Sequence, residues 1–306
     1  RALAAAGAYP NTAKRNLLYR AVMEACDAAD GVTDGIISNV ASCKFNPTAI
    51  RCPRGADLGD GCLSDAQIGA FNTYHTAIRF SYPLAGGETQ YPGFNVYAGA
   101  DTAGINSIAA LLALNVNAPT HPATLNMPYL SQYWDMWIRY FVAGDANLNH
   151  LTVDPQRPGA YQQRISYLSG IQDIYNFDLS AFKNRGGKLL MLHGTSDTFV
   201  STRASAEYYR RVVAAMGLPV VNDFARYYEI PGFGHVFGKG FTPAWDSLTA
   251  LESWVELGNP PVKPIASDIN DATWGRTRPL CDYPSWPKYN GSGDVNAAGS
   301  FNCVIN

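Results

Sequence analysis

The run KLLMLHGTSD, residues 188–197, decides the fold. Lys188 to Leu192 is a short apolar stretch bounded by Gly186-Gly187 and Gly194, the pattern of a buried strand with turn residues at both ends. Three residues past that last glycine stands an acid, Asp197. A second strand is expected over Ala225 to Ile230. It runs into Pro231-Gly232-Phe233-Gly234-His235, so a histidine follows the second strand as an acid follows the first. Between them the pattern predicts a helix that Ser201 can cap and Gly217 ends, with Ala204, Tyr208, Val212 and Ala215 recurring at helical spacing. Another helix is expected over Trp245 to Glu256, with Leu248, Leu251 and Val255 facing one way. This strand-helix order predicts an α/β fold, a mainly parallel sheet covered by helices. In such sheets reactive groups gather beyond the carboxyl ends of the strands, where Asp197 and His235 both fall.

Residues 1 to about 175 read differently. They hold loops rich in Gly, Pro and Asn, short helices such as Ala13 to Ala28, and the aromatic cluster YWDMWIRYF at 133–141. The expected division is therefore residues 1–175 as an irregular, helical lid domain and 176–306 as the sheet-bearing part. At 306 residues, 47% of them hydrophobic and 12% aromatic, the chain can build a sizeable core. A net charge of −2 with both signs scattered gives no reason to expect nucleic acid or an anionic membrane as partner. The apolar stretch Ile105 to Val116 is interrupted by Asn106, Ser107 and Asn115 and falls short of the roughly 20 residues that span a bilayer. The opening RALAAAGA lacks an initiating Met and a long hydrophobic region. The numbering is expected to begin inside a longer protein.

Six cysteines fall into local pairs by position: Cys26 with Cys43, Cys52 with Cys62, and Cys281 with Cys303. An even count in loop-rich segments points to disulfides and an oxidising compartment, secreted or periplasmic. The alternative is six reduced thiols in a cytosolic enzyme. Zinc is disfavoured, because there is no Cys-x-x-Cys and the five histidines lie far from the cysteines. Asn290-Gly-Ser292 matches a glycosylation acceptor, a pattern too short to weigh alone.

An acid followed by a histidine suits the back half of a Ser-His-Asp triad, in which the acid fixes the tautomer of the imidazole that takes the serine proton. The nucleophile should precede both on a Gly-x-Ser-x-Gly turn, and the sequence contains none. NGSGD has Asn290 in place of the first glycine, GTSDT lacks the second, and GCLSD has the wrong spacing. The serine is therefore expected upstream of Arg1, with Ser131 as an alternative that no turn signature supports. Without a partner, Asp197 reads as a helix cap and His235 as a loop histidine bonded to backbone.

A second constellation is CDAADGVTDGII, residues 26–37. Asp27, Asp30 and Asp34 can wrap hard oxygens around a cation, with the carbonyls of Val32 and Ile36 completing the shell, a donor set that suits Ca²⁺. The alternative is a solvated acidic turn, which like-charge repulsion opposes. Tyr133, Trp134, Trp137, Tyr140 and Phe141 can clamp an aromatic ligand, though helical spacing favours ordinary core. Arg139 reads as an ion-pair partner before a binder of substrate carboxylate, and His193 as a packed structural histidine before a second base.

Taken in order, CDAADGVTDGII, DLSAFKNRGGKLLMLHGTSD, YYRRVVAAMG, ARYYEIPGFGH, WDSLTALESWVELGNPP and TRPLCDYPSWPKYNGSGDVNAAGSFNC resemble the tannase and feruloyl esterase family of secreted α/β-hydrolases, which includes mono(2-hydroxyethyl) terephthalate hydrolases. The resemblance implies the C-terminal half of an α/β-hydrolase sheet beneath a disulfide-stapled, calcium-binding lid. It makes Asp197 the triad acid and His235 the base. It makes Asp27, Asp30 and Asp34 calcium ligands with the carbonyls of Val32 and Ile36, and the three cysteine pairs disulfides. The implied enzyme is a serine carboxylesterase acting on small esters of aromatic acids, feruloyl, galloyl or terephthalate monoester. Its Gly-Cys-Ser-x-Gly-Gly turn would lie in the missing N-terminal portion, leaving this fragment inactive alone. One departure stands out: the family's cysteine after the base is Val236 here. The other reading is a catalytically silent, calcium-stabilised binding or structural protein that keeps the hydrolase fold.

Overall fold

The computed structural model of the chain describes residues 1–102 and 117–306. The apolar run at 105–116 lies outside the described residues. Among those described, no helix is long and apolar enough to cross a membrane.

Among the described residues the strands form four small sheets. β1 (Ile78–Arg79) pairs antiparallel with β2 (Gln90–Tyr91). β3 (Leu189–Gly194) pairs parallel with β4 (Ala225–Ile230), in a register that sets Leu189 beside Ala225 and Gly194 beside Ile230. β5 (Pro243–Ala244), β6 (Ile265–Asp268) and β7 (Thr277–Pro279) form an antiparallel sheet in that order, and β8 (Trp286–Tyr289) pairs antiparallel with β9 (Phe301–Val304). The parallel part of the described sheet is thus the β3–β4 pair, less than the mainly parallel sheet expected. Parallel pairing needs a long crossover, which the helix Thr202–Met216 supplies between β3 and β4. β6 and β7, joined by a short loop, pair antiparallel.

The expected strand Ala225–Ile230 is present residue for residue, and the helices lie within two residues of expectation at each end. Their details differ. The Ser201 hydroxyl does not cap its helix; it donates to the Gly93 carbonyl at 2.8 Å and ties that turn to the N-terminal region. The buried side of the helix is Ala206, Tyr209 and Val212, whereas Ala215 is exposed and Ala204 and Tyr208 are half-buried. The helix Ser247–Leu257 buries Trp254, while Leu248 and Val255 are 66% and 55% exposed.

Near the chain start, Asn11 caps the helix Thr12–Cys26 by accepting from Lys14 N. The expected extension to Ala28 instead tightens into a 3-10 turn, Asp27–Asp30, which Gly31 ends at φ 100°, a conformation glycine adopts without strain. Leu18 and Val22 pack with Ile37, Leu63 and Phe71 in a first core. Ile36 belongs to a different core, with Tyr228, Ile230, Phe241, Ala266 and Leu280, so the acidic turn is anchored against β4. Trp134 and Trp137 pack against a further core containing Ile138, Val142 and Leu168. The disulfides are Cys26–Cys43, Cys52–Cys62 and Cys281–Cys303, as expected, and no described cysteine is free.

Candidate active site

The parallel register of β3 and β4 brings their carboxyl ends side by side, and glycine lets the loops beyond them touch. Thr195 N donates to Ile230 O and Ser196 N to Phe233 O, at 3.0 and 2.9 Å. A Cβ on Gly194 would overlap the Phe233 carbonyl, and one on Gly238 would overlap the Gly232 and Phe241 carbonyls. Backbone approach this close admits only glycine.

In that junction Asp197 Oδ2 lies 2.9 Å from His235 Nδ1. Asp197 is 3% exposed and its other oxygen accepts from Phe199 N at 2.7 Å and Val200 N at 2.9 Å. Asp197 thus caps the turn before the helix Thr202–Met216, not the helix itself as the sequence suggests, and this leaves Oδ2 for the histidine. Burial alone would push this carboxyl up. Hydrogen bonds from His193, Val200, His235 and Phe199 outweigh it, so Asp197 sits below the ordinary carboxylate range. A carboxylate only accepts, so His235 Nδ1 must carry a proton, and in the neutral ring Nε2 then holds the lone pair. Nε2 has no hydrogen-bond partner among the described residues, and the ring is 31% exposed. It is the tautomer of a general base.

Aromatic rings extend away from that histidine. Phe199 lies 4.6 Å from the His235 ring, Tyr129 lies 5.2 Å from Phe199, and Tyr133 meets Tyr129 edge-on at 4.6 Å. The sequence cluster thus divides: Trp134 and Trp137 are core, Tyr133 belongs to the row that reaches His235, and Tyr140 and Phe141 are exposed. Arg139 is bound to buried Asp135 at 2.9 Å. Ser131, in the helix Tyr129–Met136, makes no hydrogen bond to His235 among the described residues. A separate cavity of about 970 Å³ opens between Asn95 and Arg203 and touches neither Asp197 nor His235.

Sequence reading missed a contact of His193. Its Nε2 lies 3.2 Å from Asp197 Oδ2 and 3.2 Å from Val200 O, and its Nδ1 lies 2.7 Å from Ser205 Oγ. The i,i+4 spacing to Asp197 carries no signal at a strand end, where the intervening turn decides whether the two residues meet.

The acidic turn packs beneath the same junction. A Cβ on Gly240, in the His235 loop, would strike the Gly35 carbonyl. Arg276 joins the two: it donates to Asp34 O at 2.9 Å, to Gly240 O, and to Asp268 Oδ2 at 2.8 Å. Asp27 accepts from Gly35 N at 2.9 Å and Ile36 N at 3.2 Å, and Asp30 from Ser38 N at 3.1 Å and Val32 N at 3.2 Å. Asp34 pairs with Arg278. Burial and the neighbouring Asp34 push Asp27 up, and burial drives Asp30 to about 6 against the backbone bonds that oppose it. Among the described residues, no three His, Cys, Asp or Glu side chains are grouped to hold a metal ion. The carbonyls of Val32 and Ile36 accept no hydrogen bond from described residues. The donor chemistry suits a hard cation, while the side chains are turned toward N–H groups and Arg278.

The pattern described as Tannase and feruloyl esterase matches residues 2–304. The chain is 36% identical to an uncharacterised esterase of Agrobacterium fabrum, covering 94% of this chain and 52% of the relative. It is 31% identical to the mono(2-hydroxyethyl) terephthalate hydrolase of Piscinibacter sakaiensis, covering 94% and 51%. It therefore spans about half the length of these curated relatives. The crystal structure of feruloyl esterase B from Aspergillus oryzae superposes with a TM-score of 0.74 at 24% identity, over 98% of this chain and 58% of that one, which supports an α/β-hydrolase type of fold. By its sequence pattern over nearly its whole length, the chain belongs to the tannase and feruloyl esterase family.

Proposed function

We propose that the protein is a carboxylic ester hydrolase in which His235 is the general base and Asp197 its orienting acid. The observation that carries this reading is the 2.9 Å contact between them at the ends of two adjacent parallel strands. A serine upstream of Arg1 supplies the nucleophile. Its hydroxyl proton passes to His235 Nε2 as oxygen attacks the ester carbonyl, and the imidazolium returns that proton to the leaving alcohol. Water then attacks the acyl-enzyme in the same way, releasing the acid. The family relatives that are esterases support the reaction class.

Supporting the upstream half is an uncovered side of this chain. β3 pairs with β4 alone among the described strands, Leu192 is 39% exposed, and Leu248 and Val255 face outward. Further strands and helices of the hydrolase sheet would cover these groups. The row Phe199, Tyr129, Tyr133 favours an acyl group that is itself aromatic. In this reading residues 1–175 form the lid that adds Tyr129 and Tyr133 to Phe199 beside His235. The three disulfides favour secretion or a periplasmic location.

A structural Ca²⁺ belongs to the same proposal. Asp27, Asp30 and Asp34 with the carbonyls of Val32 and Ile36 would hold it, and Asp34 would have to turn from Arg278. Support comes from the all-oxygen donor set and the repulsion between its carboxylates. Calorimetric titration of Ca²⁺ into chelator-treated protein tests it; a flat titration removes the ion from the reading.

The reaction is tested by assaying the full gene product on methyl ferulate, methyl gallate and mono(2-hydroxyethyl) terephthalate. Turnover of at least one is expected, and the chain 1–306 alone should give none. A folded full-length product inert on all three would leave a silent hydrolase fold as the better description.

A further inference from the structure

We infer that His193 is a positioning residue for the acid of this site: with a proton on Nε2 it donates to Asp197 Oδ2, the same oxygen that His235 Nδ1 meets. The inference rests on the proposed esterase reading and extends it to a residue outside the Ser-His-Asp set.

That proton follows from the neighbours of the ring. Nε2 faces Asp197 Oδ2 and Val200 O, both at 3.2 Å and both acceptors only, so it must carry a proton. Nδ1 faces Ser205 Oγ at 2.7 Å, and a hydroxyl can donate to it. Ser205 lies on the helix Thr202–Met216 and His193 on β3, so a helix side chain meets the Nδ1 of the strand residue that faces the acid through Nε2. Other groups bear on the cluster. Glu229 on β4 is the register partner of His193, and the Tyr91 hydroxyl from β2 accepts from Ser201 N at 3.3 Å beside the Asp197 turn.

The consequence is geometric. Two backbone N–H groups fix Oδ1 and two imidazole N–H groups converge on Oδ2, so the carboxylate cannot rotate to offer His235 a different oxygen. Rotation would misdirect the His235 ring and with it the lone pair that takes the serine proton. Without the His193 donor, Oδ2 keeps only the bond to His235, the group it has to aim, while Oδ1 keeps its two backbone bonds.

The test uses the full gene product with His193→Phe, His193→Gln and Ser205→Ala, with His235→Ala as control. Hydrolysis of 4-nitrophenyl acetate is normalised to the serines titrated by a fluorophosphonate. Gln can both donate to Asp197 and accept from Ser205, whereas Phe fills the space and does neither. His193→Phe should lower kcat about tenfold with KM within twofold, while His193→Gln stays within about threefold of wild type. Ser205→Ala, a milder change, should lower kcat by about threefold. A packing role predicts the reverse order, Phe tolerated better than Gln, and that order overturns the inference. Proton spectra give a readout independent of turnover. The downfield His235 Nδ1–H signal should persist in His193→Gln and broaden or move in His193→Phe. An unchanged signal in the Phe variant, or in Ser205→Ala should the Phe variant not fold, also overturns it. Activity surviving in His235→Ala would instead sink the esterase reading itself.

Discussion

Two buried carboxylate sites lie within one packed junction and are compensated in opposite ways. Asp197 is met by two backbone N–H groups and two imidazoles, and its carboxyl is held below the usual range. Asp27 and Asp30 also accept backbone N–H groups, yet they are pushed up, Asp30 to about 6. Backbone dipoles alone do not offset burial and a like-charged neighbour; at Asp197 the imidazole donors supply the difference. The contrast teaches that imidazole donors settle the charge of Asp197 within this chain, whereas in the acidic turn only Asp34 meets a cationic side chain, Arg278.

The sharpest way to break that contrast is at Asp197 and its histidine. Asp197→Ala and His235→Ala in the full gene product should each lower kcat/KM for the best ester by about 10³-fold or more; a loss under tenfold in initial-rate assays would remove both from the chemistry. On the other side of it, Ca²⁺ at a hundred times its dissociation constant should stabilise the chelator-treated protein by about 2.7 kcal/mol. Thermal melts with and without the ion read this directly, and coincident melts would show that the acidic turn is satisfied as it stands.

A smaller effect tests the junction that carries both sites. Gly194→Ala forces a methyl group onto the Phe233 carbonyl and should cost about 1–3 kcal/mol in urea unfolding. An unchanged midpoint would mean that the two loops separate at little cost. The smallest effect concerns acid. The depressed Asp197 carboxyl contributes stability that is full above its unfolded value of about 3.9 and lost as pH falls through the lower folded value. Asp197→Asn lacks that contribution, so its urea midpoint should fall less steeply than wild type between about pH 5 and 3. Parallel slopes would show that Asp197 ionises alike in both states.

Much of the junction was legible because its signals are local. A strand run closed by glycine, a β4 with Tyr227, Tyr228 and Ile230 buried, and an Asp and a His placed just beyond give the same answer at every level. The rest depended on partners far along the chain. Ser201 looks like a cap, but its hydroxyl finds Gly93, 108 residues earlier. Asp34 looks like a free ligand until Arg278, 244 residues later, is folded against it. Leu248 and Val255 show helical periodicity correctly, but periodicity names a face without saying what covers it. For His193 a packed histidine was expected and is found, and the turn at 195–200 adds a contact with Asp197 that the sequence did not signal.

Arg276 gives the assembly a direction in time. Because it bridges Asp34, Gly240 and Asp268, the loop bearing His235 leaves the ribosome before its support is synthesised. A nascent chain that has passed 235 but not 276 carries His235 on a segment without the Arg276 bridge. Vectorial synthesis therefore supplies this brace only after the loop it holds has been made.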